Sequence, residues 1–282
     1  MTAASIAPPC VLFDNGSLQP EAALSLRALA RRLEAAIGTV VHPVSLLHSS
    51  AIPPDRLGGV PAPVLEPALD ALLEAGHARL LLLPLFFGPS GALTDYVPAR
   101  LDHVRRRHPA AQLVLARWLV DVGNAADTRI AAIVADNVRA VIRRRNLAKP
   151  AVVLVDHGSP RREVAAVRDH LGRQLDGLLR GETGPVAVAS MERRPGPAYA
   201  FADPLLSAQL RRPPFASGDV VVAPLFLAPG RHAGPDGDVA GICAEAEQAQ
   251  PGLRVHLAGL VGADPRLVDV LADRYADARA KL

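Results

Sequence analysis

Two imidazoles and a carboxylate, His157, Glu192 and His232, each follow a short apolar run in the second half of this 282-residue sequence. The runs read "VLVDHG", "VAVASME" and "VVVAPLFLAPGRH". The three residues stand 35 and 40 positions apart, too far for one turn or helix, so only a common edge of one folded sheet brings them together. Such a trio can ligate a borderline divalent ion or move protons near neutral pH. Arg161, Arg162, Arg193, Arg194 and Arg231 occupy the same three segments. Guanidinium groups gathered around a site suit a ligand bearing several carboxylates or phosphates. Gly158 and Ser159 read as a tight strand-to-helix turn, with Ser159 placed to cap the helix or to touch the ligand.

The elements that position these residues emerge from an internal repeat. "VLFDNGSLQP" (Val11–Pro20) and "VLVDHGSPRR" (Val153–Arg162) are versions of one motif, with Asn15 where the second copy has His157. "RLLLLPLFFGPSGALTDYVP" (Arg79–Pro98) recurs as "DVVVAPLFLAPGRHAGPDGDVA" (Asp219–Ala240). A third pair, "QLVLARWLVDVG" and "LRVHLAGLVGA", keeps the order, so the chain is a tandem duplication. The boundary falls at "RRRNLAKP", which predicts domains over 1–147 and 148–282.

Each half alternates short apolar runs with amphipathic stretches. In "EAALSLRALARRLEAAI" Leu24, Leu26, Leu29, Leu33 and Ile37 recur at helical spacing, and Gly38 closes the helix. Alternating β and α elements predict two similar doubly wound parallel sheets, each a three-layer α/β domain. Ligands of such sheets bind beyond the C-terminal strand ends. The first-half loops there, "DNGSLQPE", "SLLHSSAIPP" and "FGPSGALTD", hold His48 as their only imidazole and no arginine. His48 takes the place of Glu192 in this reading. Chemistry therefore belongs to the second half, while the first keeps the scaffold.

Composition narrows the class. A net charge of +3 without a basic run interleaved with aromatics gives no case for nucleic acid. Cys10 and Cys243 form neither CxxC nor zinc spacing, which suits a reducing cytoplasm. "MTAASIAPPC" lacks the basic and apolar regions of a signal peptide, and no apolar stretch reaches membrane-spanning length. No GxxxxGK[ST] or GxGxxG phosphate loop is present, so no nucleotide is expected. A soluble monomer or homodimer is the expectation.

In order and spacing, "VLVDHGSPR", "SMERR" and "PLFLAPGRHAGPDGDVA" resemble the class II chelatases, the family containing sirohydrochlorin ferrochelatase and the anaerobic-type cobaltochelatase (the CbiX/SirB type). The resemblance covers both halves, because long members are also duplicated. It implies insertion of a divalent metal (Co2+, Fe2+ or Ni2+, as substrate) into sirohydrochlorin or a related tetrapyrrole, without ATP. By motif position His157 and His232 carry over as metal ligands and proton acceptors, and Glu192 as their acidic partner. Arg161, Arg193, Arg194, Arg231 and Ser159 would meet the substrate's carboxylates, and Tyr199 and Phe201 either a flat macrocycle or the neighbouring loop. Where the family has an Asp-Ile-Pro-like turn this chain has "AGPDGDVA", which leaves Asp236 and Asp238 as rivals for supporting the site. Two other classes compete: a non-catalytic metal or tetrapyrrole carrier, and histidine-dependent phosphoryl transfer. The latter is disfavoured because Asp156 stands where that chemistry needs an arginine.

Overall fold

A computed structural model describes residues 8–282, so most of the stretch weighed as a signal peptide lies outside the described residues. The first repeat forms β1 (Cys10–Asp14), α1 (Pro20–Ile37), β2 (Val41–Ser45), α2 (Leu65–Glu74), β3 (Arg79–Pro84), α3 (Val97–Arg107), β4 (Gln112–Leu115) and α4 (Arg129–Arg145). The second forms β5 (Ala151–Asp156), α5 (Arg162–Leu178), β6 (Val186–Ser190), α6 (Leu206–Gln209), β7 (Gly218–Pro224), α7 (Asp238–Ala249), β8 (Leu253–Leu257) and α8 (Leu267–Arg279). Each repeat builds one four-stranded parallel sheet, ordered β2-β1-β3-β4 and β6-β5-β7-β8. The two predicted doubly wound sheets are therefore present.

The strands are continuous apolar runs because both faces are covered. All six residues of β5 are buried. On one face of the second sheet Val153, Val155, Val220 and Val222 pack with Val239 and Cys243 of α7. On the matching face of the first, Val11, Phe13, Leu80 and Leu82 pack with Leu65 and Leu69 of α2 and Val97 and Leu101 of α3. Burial pushes the thiols of Cys10 and Cys243 up to about 12, so neither offers a thiolate near neutral pH. Among the described residues no helix is long and apolar enough to cross a membrane.

The compact units do not follow the repeat boundary. One unit is 1–119 with 267–282; the other is Val120–Arg266. The expected division at residues 147 and 148 is thus corrected: α4, encoded in the first repeat, packs beside α5 and against β7. Its inward face, including Ile130, Ile133, Val134, Val138 and Val141, is buried there. Arg139 fixes it further, donating to both carboxylate oxygens of Glu182 at 2.7 and 2.9 Å and to the Leu178 carbonyl at 2.8 Å. Reciprocally, α8 packs beside α1 and against β3 and β4. There Arg274 donates to the carbonyls of Trp118 and Leu119 at 3.1 and 2.9 Å.

This exchange of last helices is testable at Leu271, a fully buried residue of α8. Leu271→Ala should lower the protection of the β3 amides by about 2–5 kcal/mol, the usual cost of such a truncation, and leave the β7 amides unchanged. Hydrogen exchange read strand by strand checks this; loss at β7 instead would restore the repeat boundary.

Candidate active site

In the order β6-β5-β7-β8 the chain turns in opposite directions after β5 and β7, so the crevice at the switch point opens between those strands. His157 follows β5 directly, His232 lies in the loop after β7, and Glu192 lies two residues beyond β6. The ladder continues past the strand ends, with the Met191 amide donating to the Asp156 carbonyl at 2.8 Å and the Glu192 amide to that of His157 at 3.1 Å. Gly158 makes the approach possible. Its φ is +93°, and a Cβ there would stand 1.9 Å from the Glu192 carbonyl oxygen. Only glycine tolerates both conditions.

The three side chains predicted from the sequence do converge. The rings of His157 and His232 lie 4.7 Å apart, edge to face at 74°. His157 Nε2 lies 3.6 Å from Glu192 Oε1. The second nitrogen of each ring is anchored. His157 Nδ1 lies 3.0 Å from its neighbour Gly158's carbonyl, and His232 Nδ1 lies 2.6 Å from Asp238 Oδ2. Both oxygens can only accept, so each Nδ1 carries the hydrogen and each neutral imidazole keeps its Nε2 lone pair for other work. Asp238, at the start of α7, is therefore the carboxylate that supports the site, and Asp236 is not. Gly237 permits this fold-back, since a Cβ there would lie 2.8–3.0 Å from the backbone of His232 and Ala233.

The arrangement has a consequence for charge. The Nε2 lone pair of His157 faces a carboxylate oxygen, and two lone pairs oppose one another unless positive charge lies between them. A proton on the ring or a cation satisfies both. Among the described residues no group of three or more His, Cys, Asp or Glu side chains is close enough to enclose a metal ion. The site offers part of a coordination shell.

The arginines divide into two kinds. Arg193 turns back into its own loop, donating from Nε to Asp203 at 2.7 Å and from one terminal nitrogen to the carbonyls of Arg194 and Gly196. These bonds brace the loop that carries it. Arg194 lies 5.9 Å from the Tyr199 ring and Arg162 lies 4.8 Å from the Phe201 ring. Arg231 is 83% exposed, 3.9 Å from Asp238, and Arg161 is half-buried at the start of α5. Ser159 does not cap α5: its hydroxyl accepts the Arg161 amide at 3.2 Å, one step before the helix.

The first copy repeats the backbone without the chemistry. The Leu47 amide donates to the Asn15 carbonyl at 3.2 Å, and a Cβ on Gly16 would meet the Leu47 carbonyl at 1.8 Å. The structural counterpart of Glu192 is thus Leu47, and the assignment of His48 to that place is corrected. His48 instead lines a groove of about 860 Å3 with Glu66, Asp70, Tyr96, His103 and Arg107.

One buried charge was missed in the sequence. Arg168 of α5, only 1% exposed, lies beneath the site and donates to Ser190 Oγ at 2.6 Å, to the carbonyls of Phe201 and Ala202 at 3.1 Å, and to Asp169 at 2.9 Å. It is 4.0 Å from Asp156, whose carboxyl is pushed above the usual carboxylate range by burial, against the lowering effect of Ser190 and Arg168. The signal was legible: Arg168 falls on the stripe of Ala165, Leu171, Gly172 and Leu175, an arginine among inward-facing residues.

Comparison with known proteins follows the same lines. The sequence model of the CbiX family matches residues 151–278. No curated protein matches the sequence. Among solved structures, "SirB from Bacillus subtilis with Fe3+" superimposes with a TM-score of 0.70 at 16% identity, covering 97% of this chain and 96% of that one. The sirohydrochlorin chelatase SirB from Bacillus subtilis subspecies spizizenii in complex with cobalt gives 0.68 at 15% identity, over 97% and 96% of the two chains. A structure of CbiX, described as the terminal enzyme for biosynthesis of siroheme in denitrifying bacteria, gives 0.61 at 16%, over 96% and 99%. At these identities the likeness is one of fold.

Two substitutions test the site's construction. Asp238→Ala should weaken Co2+ binding about 10–100-fold by freeing the His232 ring, whereas Asp236→Ala should leave it unchanged, both read by titration of the visible Co2+ bands. Gly158→Ala should destabilise the protein by more than about 1 kcal/mol in urea, while Gly177→Ala, in open space near the end of α5, should stabilise it by about 0.5–1 kcal/mol.

Proposed function

We propose, from the match of the CbiX family model to residues 151–278 and the resemblance of the site motifs to class II chelatases, that this protein inserts a divalent metal into sirohydrochlorin or a related tetrapyrrole without a nucleotide. The observation that carries the reading is the pair of imidazoles, 4.7 Å apart, each anchored through Nδ1, with Nε2 of His157 3.6 Å from the Glu192 carboxylate. Co2+, Fe2+ and Ni2+ are the candidate metals, since imidazole and carboxylate together accept all three. Among the solved structures of this fold, one holds Fe3+ and one cobalt, so iron and cobalt are the elements to test first.

Metallation exchanges two pyrrole N–H protons for one divalent ion. The ion arrives hydrated and must exchange water for ring nitrogens, so a donor set that encloses it would retain it. Two imidazoles with Glu192 at their edge supply enough ligation to strip part of the hydration shell and leave positions for the pyrrole nitrogens. As the ion passes to the macrocycle, Nε2 of His157 and the Glu192 carboxylate become free to accept the departing protons. Glu192 is largely exposed, so a proton taken there leaves to water. Arg161, Arg194 and Arg231, in the loops around this edge, are the cations for the peripheral carboxylates. Arg193 serves them indirectly by bracing its loop.

Incubation with sirohydrochlorin and each metal, followed by absorption spectroscopy, tests the reading. Turnover beyond one equivalent supports it; stoichiometric uptake without turnover would make the protein a carrier instead. His157→Ala should abolish metallation with the fold intact, because its side chain lies outside the core, and Asn15→Ala should be silent. Arg231→Ala should raise the KM for the tetrapyrrole roughly ten-fold, with a smaller change in kcat, as expected for a lost charge-assisted contact. Equal losses from His157→Ala and Asn15→Ala would refute the division of labour between the copies.

A further inference from the structure

At the helix position of Arg168 the first copy has Leu26, although the strand ends beside it carry the same residues in both copies. Asp14 and Asp156 end the equivalent strands β1 and β5, and Ser45 and Ser190 end β2 and β6. In both copies the serine hydrogen-bonds the aspartate. The helix residue facing this pair is Leu26 in α1 and Arg168 in α5, and both are buried. A leucine therefore satisfies the fold at this position. A guanidinium taken out of water there incurs a desolvation penalty that its partners must offset.

The partners show what the guanidinium joins. Its terminal nitrogens reach Ser190, two residues before Glu192, and the carbonyls of Phe201 and Ala202, at the far end of the segment that Glu192 begins. Both ends of that segment are thus fastened to α5. The helix lies close enough to do so because Gly172 has no side chain: a Cβ there would stand 2.3 Å from Val188 of β6. The first copy fastens its corresponding loop from the next position of the helix: Arg27 of α1 donates to the carbonyls of Leu57 and Val60 at 2.8 and 2.6 Å, while Leu26 brings no guanidinium to Ser45.

We propose that Arg168 is a positioning residue for the reaction, clamping the segment from Glu192 to Ala202 so that the Glu192 carboxylate stays beside His157. This rests on the chelatase reading for its catalytic consequence, but the clamp itself is separately measurable. In the full-length protein Arg168→Leu, the residue of the sister copy, should fold and show amide exchange over residues 192–203 at least ten-fold faster than in the parent. Its kcat for Co2+ insertion into sirohydrochlorin should fall ten-fold or more, because small misplacements of reacting groups are costly, with KM changed less than about three-fold. Arg168→Lys, which keeps the charge but loses the fork, should lie between. Unchanged exchange over 192–203 would overturn the proposal, and so would a parental kcat with faster exchange. If Arg168→Leu does not fold, the same two readings on Arg168→Lys decide, with parental values in both overturning it. If the parent metallates no tetrapyrrole, the chelatase reading fails, and the exchange data still decide whether Arg168 holds the segment.

Discussion

The site depends on two parallel strands continuing to pair after they have ceased to be strands. The amides of Met191 and Glu192 reach back to the carbonyls of Asp156 and His157, and this extension of the ladder sets the imidazole and the carboxylate side by side. Because the contact is made by backbone, the side chains at its rim are free to change. The first copy has the same extension, with Asn15 and Leu47 at the rim. One backbone device thus carries a polar pair in one unit and an amide beside an exposed apolar side chain in the other. What it cannot change is glycine: both copies place one at the point of closest approach, at φ +87° and +93°.

The charges beneath and beside this contact follow from burial. Asp156 sits under the site with Ser190 and Arg168, where the low dielectric strengthens each pairing and penalises each unpaired atom. Asp238, by contrast, lies near the surface and acts on one ring nitrogen. The two carboxylates have different tasks. The buried one belongs to the architecture at the end of β5, and the exposed one fixes the tautomer and orientation of His232.

Much of this was legible in the sequence because its signals are local or repeated. The apolar runs, the Asp-X-Gly-Ser motif and the near-constant repeat offset fixed the strands, the two-sheet architecture and the meeting of His157, Glu192 and His232. What was not legible depends on partners far along the chain. Nothing in the amphipathic pattern of α4 says which sheet it covers, since its apolar stripe would fit either. His48 aligns with Glu192 in the sequence, whereas Leu47 does so in the fold, because the connection after α5 is longer than the one after α1 and shifts the repeat register. The bond of Arg193 to Asp203 crosses ten residues of loop, and no local pattern announces it. Arg168 stands on an apolar stripe of its helix, but its partners Ser190, Phe201 and Ala202 lie 22 to 34 residues further along the chain.

The exchange of α4 and α8 also orders events in time. The unit spanning Val120–Arg266 is one uninterrupted segment, whereas the other unit waits for α8 to cover β3 and β4. On a ribosome the strands of the first sheet emerge early, yet the intervening segment takes on the order of ten seconds to synthesise before their last helix exists. For that interval one face of β3, with Leu81 and Leu83, lacks part of its covering layer. The unit that carries the candidate chemistry is then the first able to close, and the scaffold unit completes itself afterwards. Nascent chains of this protein should therefore depend on holding factors from the emergence of β3 until α8 has been added.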